Sequence, residues 1–216
     1  MKICTLCPRM CAVDRKSGER GICGQTTEIK VARAALHFWE EPCISGEMGS
    51  GAVFFSGCAL HCVFCQNENI ANGTAGKVIS TERLGEIFLE LQEKGANNIN
   101  LVTPGQFVPQ IIKAVELARN QNLKIPIVYN TSSYENVDTI RSLEGIVDIY
   151  LPDFKYFDTA LSAKYSHAPD YPAVAKAVIA EMVRQTGAAV FENGEDSLMK
   201  RGTIVRHLIL PGCTKD

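Results

Sequence analysis

No stretch of this 216-residue sequence stays apolar long enough to cross a bilayer. The start, MKICTLCPRMCAVDRKSG, lacks the apolar run that a secretion signal needs, so a cytoplasmic location is expected. Charge of one sign is missing too: 22 Lys and Arg stand against 24 Asp and Glu, a formal net charge of -2. No basic patch and no platform of stacking aromatics stands out, which argues against nucleic acid and membrane surfaces as partners. A disulfide framework is also excluded. Seven of the nine cysteines fall in two tight clusters, with Cys43 and Cys213 apart, and no secretion signal precedes them. That pattern reads as metal ligation in a reducing compartment. What the chain does have is apolar content, 46% of its residues, enough for one sizeable core and a small appendage.

The rest of the chain is organised around GAVFFSGCALHCVFCQN, residues 51–67. A short apolar strand over 53–56 runs into Cys58, Cys62 and Cys65, spaced C-x3-C-x2-C. Iron and zinc both accept tetrahedral thiolate ligation. Three clustered thiolates without a local fourth suit a cubane [4Fe-4S] cluster with one iron open to a small molecule. A zinc site completed by a distant ligand is the alternative, and His61 is a further candidate ligand beside Cys62.

Residues 1–24 carry the second cluster, Cys4, Cys7, Cys11 and Cys23. The charged, glycine-bearing stretch between Cys11 and Cys23 has little to bury, so metal binding would replace a core. Zinc and a second iron-sulfur cluster both fit; a loop of reduced structural thiols is the plainer reading. Residues 29–50 read as a linker with a short extended run. Within it a buried Trp39 beside a hydrogen-bonded His37 is expected, with Glu40 as a further site candidate. Gly46, Gly49 and Gly51 mark a tight approach to the first strand. The domain reading is therefore 1–50 for the cysteine-rich segment and linker, and 51–216 for the main body.

From residue 51 a strand–helix rhythm appears. Helices are expected over 81–94, 108–119, 134–143 and 172–185, and strands over 98–102, 125–129 and 146–151. A hairpin of 188–191 with 203–210 is expected across an Asn193-Gly194 turn. Such alternation predicts an α/β fold with a mostly parallel sheet, right-handed crossovers and a site at the C-terminal ends of the strands. About five barrel strands are visible, which predicts an open partial (β/α) barrel.

The loops at that predicted edge carry the unusual polar residues. They are the three cysteines, Thr103-Pro104-Gly105-Gln106, Asn130-Thr131-Ser132-Ser133, and Pro152-Asp153-Phe154-Lys155-Tyr156. Arg206 and His207 follow from the last arm. An extended Asp153-x-Lys155 projects both side chains to one face, and Arg206 is ranked above its alternating neighbour His207.

The motifs CTLCPRMC…GICG, WEEPCISG, SGCALHCVFCQN, NLVTPGQFV, YLPDFKY and RGTIVRHLILPG together resemble the radical S-adenosylmethionine superfamily. The likeness is to its pyruvate formate-lyase activating enzyme-like members, and it covers nearly the whole chain. Phe64 fills the aromatic place before the last cysteine. The resemblance implies a partial barrel with a [4Fe-4S] cluster on Cys58, Cys62 and Cys65 and S-adenosyl-L-methionine on the open iron. It implies reductive cleavage to a 5'-deoxyadenosyl radical that abstracts hydrogen from a protein or small molecule, including the glycine of a glycyl radical enzyme. The implied cofactor contacts are Phe64, Thr103, Asn130, Ser132, Asp153, Lys155 and Arg206, and the implied reductant is a flavodoxin or ferredoxin. A non-enzymatic iron-sulfur, zinc or electron-transfer protein is the competing reading. Three departures are visible: Thr103-Pro104-Gly105 stands where Gly-Gly-Glu is usual, well-understood formate-lyase activases lack the N-terminal four-cysteine motif, and relatives continue through another helix and strand, with histidine common at the place of Cys213. A C-terminally truncated member is therefore expected.

Overall fold

The computed structural model describes residues 3–192 and 197–213. Among these the strands are β1 (Ile29–His37), β2 (Ser50–Phe55), β3 (Lys77–Ile79), β4 (Ile99–Val102) and β5 (Ile127–Thr131). They continue with β6 (Ile149–Phe154), β7 (Val190–Phe191), β8 (Met199–Thr203) and β9 (Arg206–His207). The helices are α1 (Pro42–Ser45), α2 (Glu68–Ala71), α3 (Thr81–Glu93), α4 (Val108–Asn120), α5 (Val137–Arg141), α6 (Thr159–Ser166) and α7 (Tyr171–Thr186). No described helix is long and apolar enough to cross a membrane.

The strands form one mixed sheet in the order β3-β1-β2-β4-β5-β6-β8-β7, with β9 pairing β6. β2, β4, β5, β6 and β8 run parallel, as the strand–helix rhythm predicts. The antiparallel pairs lie at the margins. The parallel strands alternate with helices because each crossover must bring the chain back to the same end of the sheet. Those crossovers leave the C-terminal ends of β2, β4, β5 and β6 side by side.

The patterning that builds the core is direct. Leu84, Phe88 and Leu91 recur on one face of α3 and are buried against Val53, Phe55, Ile99 and Leu101 of the sheet. Ile111, Ala114, Val115 and Ala118 do the same from α4. Each large side chain buried in this way contributes about 1.5–3 kcal/mol. Ser80 caps α3 by accepting from the Arg83 N–H, and Gly95 follows with φ 87°. Gly51 is closely packed on β2: a Cβ there would lie 3.0 Å from both Asn98 O and Leu91 Cβ, so a larger residue would push on its neighbours.

Several expectations are corrected. The extended run in the linker is a nine-residue strand, β1, paired antiparallel to β2 and β3. Trp39 is 89% exposed rather than buried, because the chain leaves β1 at His37 and turns outward before α1. The second hairpin arm is Met199–Thr203, not 203–210; the Asn193-Gly194 turn lies outside the described residues. Residues 206–207 instead pair in parallel with the end of β6. The helix expected over 134–143 starts only at Val137. Tyr134 is tied to Asp170 and Glu135 to Tyr129 and Thr131, which holds both residues out of a helical turn. β5 and β6 end two to three residues later than expected, so Asn130, Thr131 and Asp153 sit on strand ends rather than in loops.

Candidate active site

A cavity of about 500 Å³ opens at the C-terminal ends of the parallel strands. That volume lies within the range of small-molecule and cofactor sites. Its wall includes Cys58, Cys62 and Cys65, and also Phe64, Thr103, Asn130, Ser132, Asp153, Lys155 and Arg206. Every residue expected at the first site therefore borders one space, although these residues come from five separate segments. His37, Glu40, His61, Gln66 and Asn67 line it as well.

The cysteine loop leaves β2 at Gly57, whose φ of 88° suits glycine; a Cβ there would meet Cys23 O at 2.3 Å. Gln106, nearly fully buried, fixes the departure by donating to Ser56 O, Gly57 O and Thr103 O at 2.9–3.0 Å. Thr103 and Ser133 hold left-handed backbone at φ 55° and 64°, an uncommon state for residues with a Cβ. The Thr103 N–H donates to Asn130 O across the strand ends.

The sulfurs have donors of their own. The Leu60 N–H approaches Cys58 Sγ at 3.4 Å, and Ser166 Oγ donates to Cys62 Sγ at 3.1 Å. The Tyr156 hydroxyl lies 2.7 Å from Ser166 Oγ and completes a buried relay. Burial pushes the Cys58 and Cys62 thiols up, while these donors pull them back. Such thiols become thiolates when a cation stands among them.

The same cavity wall carries a charged cluster. Asp153 accepts from Lys155 Nζ at 2.7 Å and from Arg206 Nε at 2.8 Å. Arg206 Nη2 donates to Asn130 Oδ1 at 2.7 Å, and its Nη1 lies 3.5 Å from Glu40 Oε2. The register of β9 on β6, with Arg206 opposite Asp153, brings this pair together. Burial pushes the Glu40 carboxyl up, and Arg206 offsets the rise. Tyr171, fully buried on α7, braces the cluster: its hydroxyl lies 2.9 Å from Ser132 O and 2.8 Å from Asp153 O and accepts the Lys155 N–H. His207 is exposed, and its Nδ1 donates to Phe154 O on the paired strand. Phe107 and Tyr156 are fully buried and pack rather than line the cavity.

Residues 52–187, more than half of the chain, match the family model of the radical SAM superfamily. The chain belongs to the radical SAM superfamily. It is also 27% identical over 217 residues to the uncharacterized protein MJ0674 of Methanocaldococcus jannaschii. That match covers 97% of this chain and 57% of the archaeal protein, so the chain spans little more than half of this relative's length.

Radical SAM membership makes a [4Fe-4S] cluster the implied group, and the donor set bears on the fit. Among the described residues, no three His, Cys, Asp or Glu side chains stand together as a ready ligand set for one metal ion. Three thiolates also leave a tetrahedral structural zinc one ligand short. A cubane takes each thiolate on a different iron, so its three cysteines need only border one space. Cys58, Cys62 and Cys65 do so, with N–H and O–H donors behind two of them.

Ser166 is a site residue that the sequence analysis missed: nothing in TALSAKYS marks it, and only the fold of α6 brings it to Cys62. Replacing it with alanine removes the hydrogen bond to the Cys62 sulfur. The expected outcome for Ser166→Ala is a loss of about 10–100-fold in cluster retention or turnover. Iron counting after anaerobic reconstitution and a turnover assay check it. Parent-like iron content and rate would remove Ser166 from the site.

Proposed function

We propose that the chain is a radical SAM enzyme that binds S-adenosyl-L-methionine in this cavity and abstracts hydrogen from a protein or small-molecule substrate. The observation that carries the reading is the placement of three cysteines and a cationic, hydrogen-bonding cluster in the wall of one cavity at the ends of a parallel sheet. The reading takes the sheet as an open partial barrel, with its five parallel strands as the barrel staves.

Cys58, Cys62 and Cys65 would hold the [4Fe-4S] cluster. When bound, it supplies the electron that splits the sulfonium into methionine and a 5'-deoxyadenosyl radical. The chain's own residues bind and orient. Lys155 and Arg206 offer cations to the methionyl carboxylate, and Asp153, held between them, fixes both. The Thr103 segment would border the methionyl end, and Asn130, Ser132 and Glu40 would offer amide, hydroxyl and carboxylate groups to the ribose hydroxyls. Phe64, edge-on to Tyr156 and Tyr165, walls the cavity on the cysteine side. The resemblance extends the proposal to a flavodoxin or ferredoxin as electron donor and to a glycyl radical enzyme as one candidate partner.

The test is anaerobic reconstitution with iron and sulfide, reduction with dithionite, and assay of S-adenosylmethionine products. Methionine and 5'-deoxyadenosine in equal amounts are expected. Cluster assembly with no cleavage of the cofactor would favour an electron-transfer protein instead.

A further inference from the structure

The four N-terminal thiols lie outside the cavity just described, and their segment has almost no core. Among residues 3–24 only Arg15 and Cys23 are buried, while Ile3, Met10 and Ile22 are each more than half exposed. Its regular structure is one short 3-10 turn, Arg15–Ser17. Something other than apolar burial must hold it in shape.

The thiols are arranged for that purpose. Cys4, Cys7 and Cys23 line a small cavity of about 40 Å³, which Cys58 also borders. Cys11 packs against Gly21, where an added Cβ would come within 2.7 Å of its sulfur. The Ile22 N–H donates to Cys11 Sγ at 3.3 Å, and Arg15 Nη1 reaches Cys4 Sγ at 4.0 Å. Donors of this kind on sulfur are what a thiolate-bound metal receives from its surroundings. Three arginines in the same stretch, Arg9, Arg15 and Arg20, offset the charge that four thiolates would bring. Four thiolates complete a tetrahedral zinc site, the closed arrangement in which structural zinc is held.

We propose that Cys4, Cys7, Cys11 and Cys23 bind one zinc ion as a tetrathiolate, and that this site clasps the loop carrying Cys58 and Cys62. Cys4, Cys7 and Cys23 border the cavity and Cys11 stands outside its wall, and the four do not converge on a point, so binding draws them inward and releases their protons. The clasp is visible on both sides. Arg9, between Cys7 and Cys11, donates to Ala59 O at 2.9 Å and Leu60 O at 3.4 Å. It also donates to Ser166 O at 2.9 Å and His167 O at 2.6 Å. His61 Nε2 donates to Ile22 O at 2.8 Å, next to Cys23. All three residues between Cys58 and Cys62 are thus tied to the four-thiol segment. The zinc site does not depend on what residues 58–65 bind.

The test is zinc-edge X-ray absorption on the full chain, which sees zinc alone whatever iron is present. Four sulfur neighbours at about 2.3 Å are expected. Fewer sulfurs, or no stoichiometric zinc, overturns the proposal. In a chain with Cys58, Cys62 and Cys65 all replaced by alanine, about one zinc per chain without labile sulfide is expected. Adding Cys7→Ala and Cys23→Ala should remove it, whereas Cys43→Ala and Cys213→Ala should not. Sulfide-bearing iron in place of zinc, or zinc lost with Cys43 or Cys213, contradicts the assignment. Stripping zinc from the triple-alanine chain with a mercurial should speed amide exchange over residues 59–61; unchanged exchange rules out the clasp.

Discussion

Cys62→Ala is expected to lower S-adenosylmethionine cleavage below about one-thousandth of the parent rate, because the three sulfurs act as a unit. Cys62 is the sulfur with the most elaborate support: Ser166 donates to it, Tyr156 stands behind Ser166, and Phe64 lies two residues on. Removing the sulfur leaves that relay with no acceptor and leaves two cysteines to hold a cluster. The fold should survive, because the loop is held by Arg9 and by the Val63 N–H donating to Tyr165 O, neither of which needs the thiol. Circular dichroism should therefore match the parent while iron content falls. Parent-level 5'-deoxyadenosine from Cys62→Ala would remove the cysteine loop from the chemistry. Cys43→Ala is the control: Cys43 packs beside Ile44 and Met199, away from the cavity, and should leave turnover unchanged.

The second large effect is expected at Arg206. Its guanidinium bonds Asp153 and Asn130 and faces Glu40, so it joins β5, β6 and the segment after β1 in one contact set. Arg206→Ala leaves Asp153 with Lys155 alone and leaves Glu40 half of a broken pair. Hydrogen bonds to charged groups contribute about 1.5–3 kcal/mol each, so S-adenosylmethionine affinity should weaken by roughly 10–100-fold. Arg206 is partly exposed, which places the effect toward the lower end of that range. Arg206→Lys keeps the charge but loses the fork, and should recover only part of the affinity. Equilibrium binding to the reconstituted protein reads this directly, and cluster content should stay at the parent level. Unchanged affinity in Arg206→Ala would mean that the charged cluster braces the strand ends without touching the cofactor.

Much of the fold was legible because its signals are local. The apolar faces of α3, α4 and α7 repeat at helical spacing, and β2, β4, β5 and β6 are short apolar runs between turn residues. β1 was less legible. IKVARAALH alternates weakly, and its role as an antiparallel partner of β2 depends on pairing that no short window reveals. Trp39 was misjudged because large aromatics are usually covered, and nothing near it in the sequence signals the outward turn. The helix expected from Tyr134 failed for a different reason. Tyr134 and Glu135 form side-chain bonds that outweigh helical propensity at the start of α5.

The site was legible where chemistry is concentrated in sequence and illegible where it is assembled in space. The three cysteines, Asp153-x-Lys155 and Arg206 carry unusual residue types at the predicted ends of strands, so alternation alone brings them to one edge. Ser166 and Tyr171 are ordinary residues in helical segments. Their roles come from reaching across the sheet edge to Cys62 and to the Asp153 backbone. Arg9 is similar: its four carbonyl contacts span more than 150 residues of sequence.

The central claim is that S-adenosylmethionine binds at a cluster held by Cys58, Cys62 and Cys65. Electron paramagnetic resonance of the anaerobic, reduced protein, recorded with and without S-adenosylmethionine, tests it most directly. The account predicts a reduced [4Fe-4S] signal whose g values change when the cofactor is added. A signal that the cofactor leaves untouched, or a site at these cysteines filled only by zinc, would contradict it.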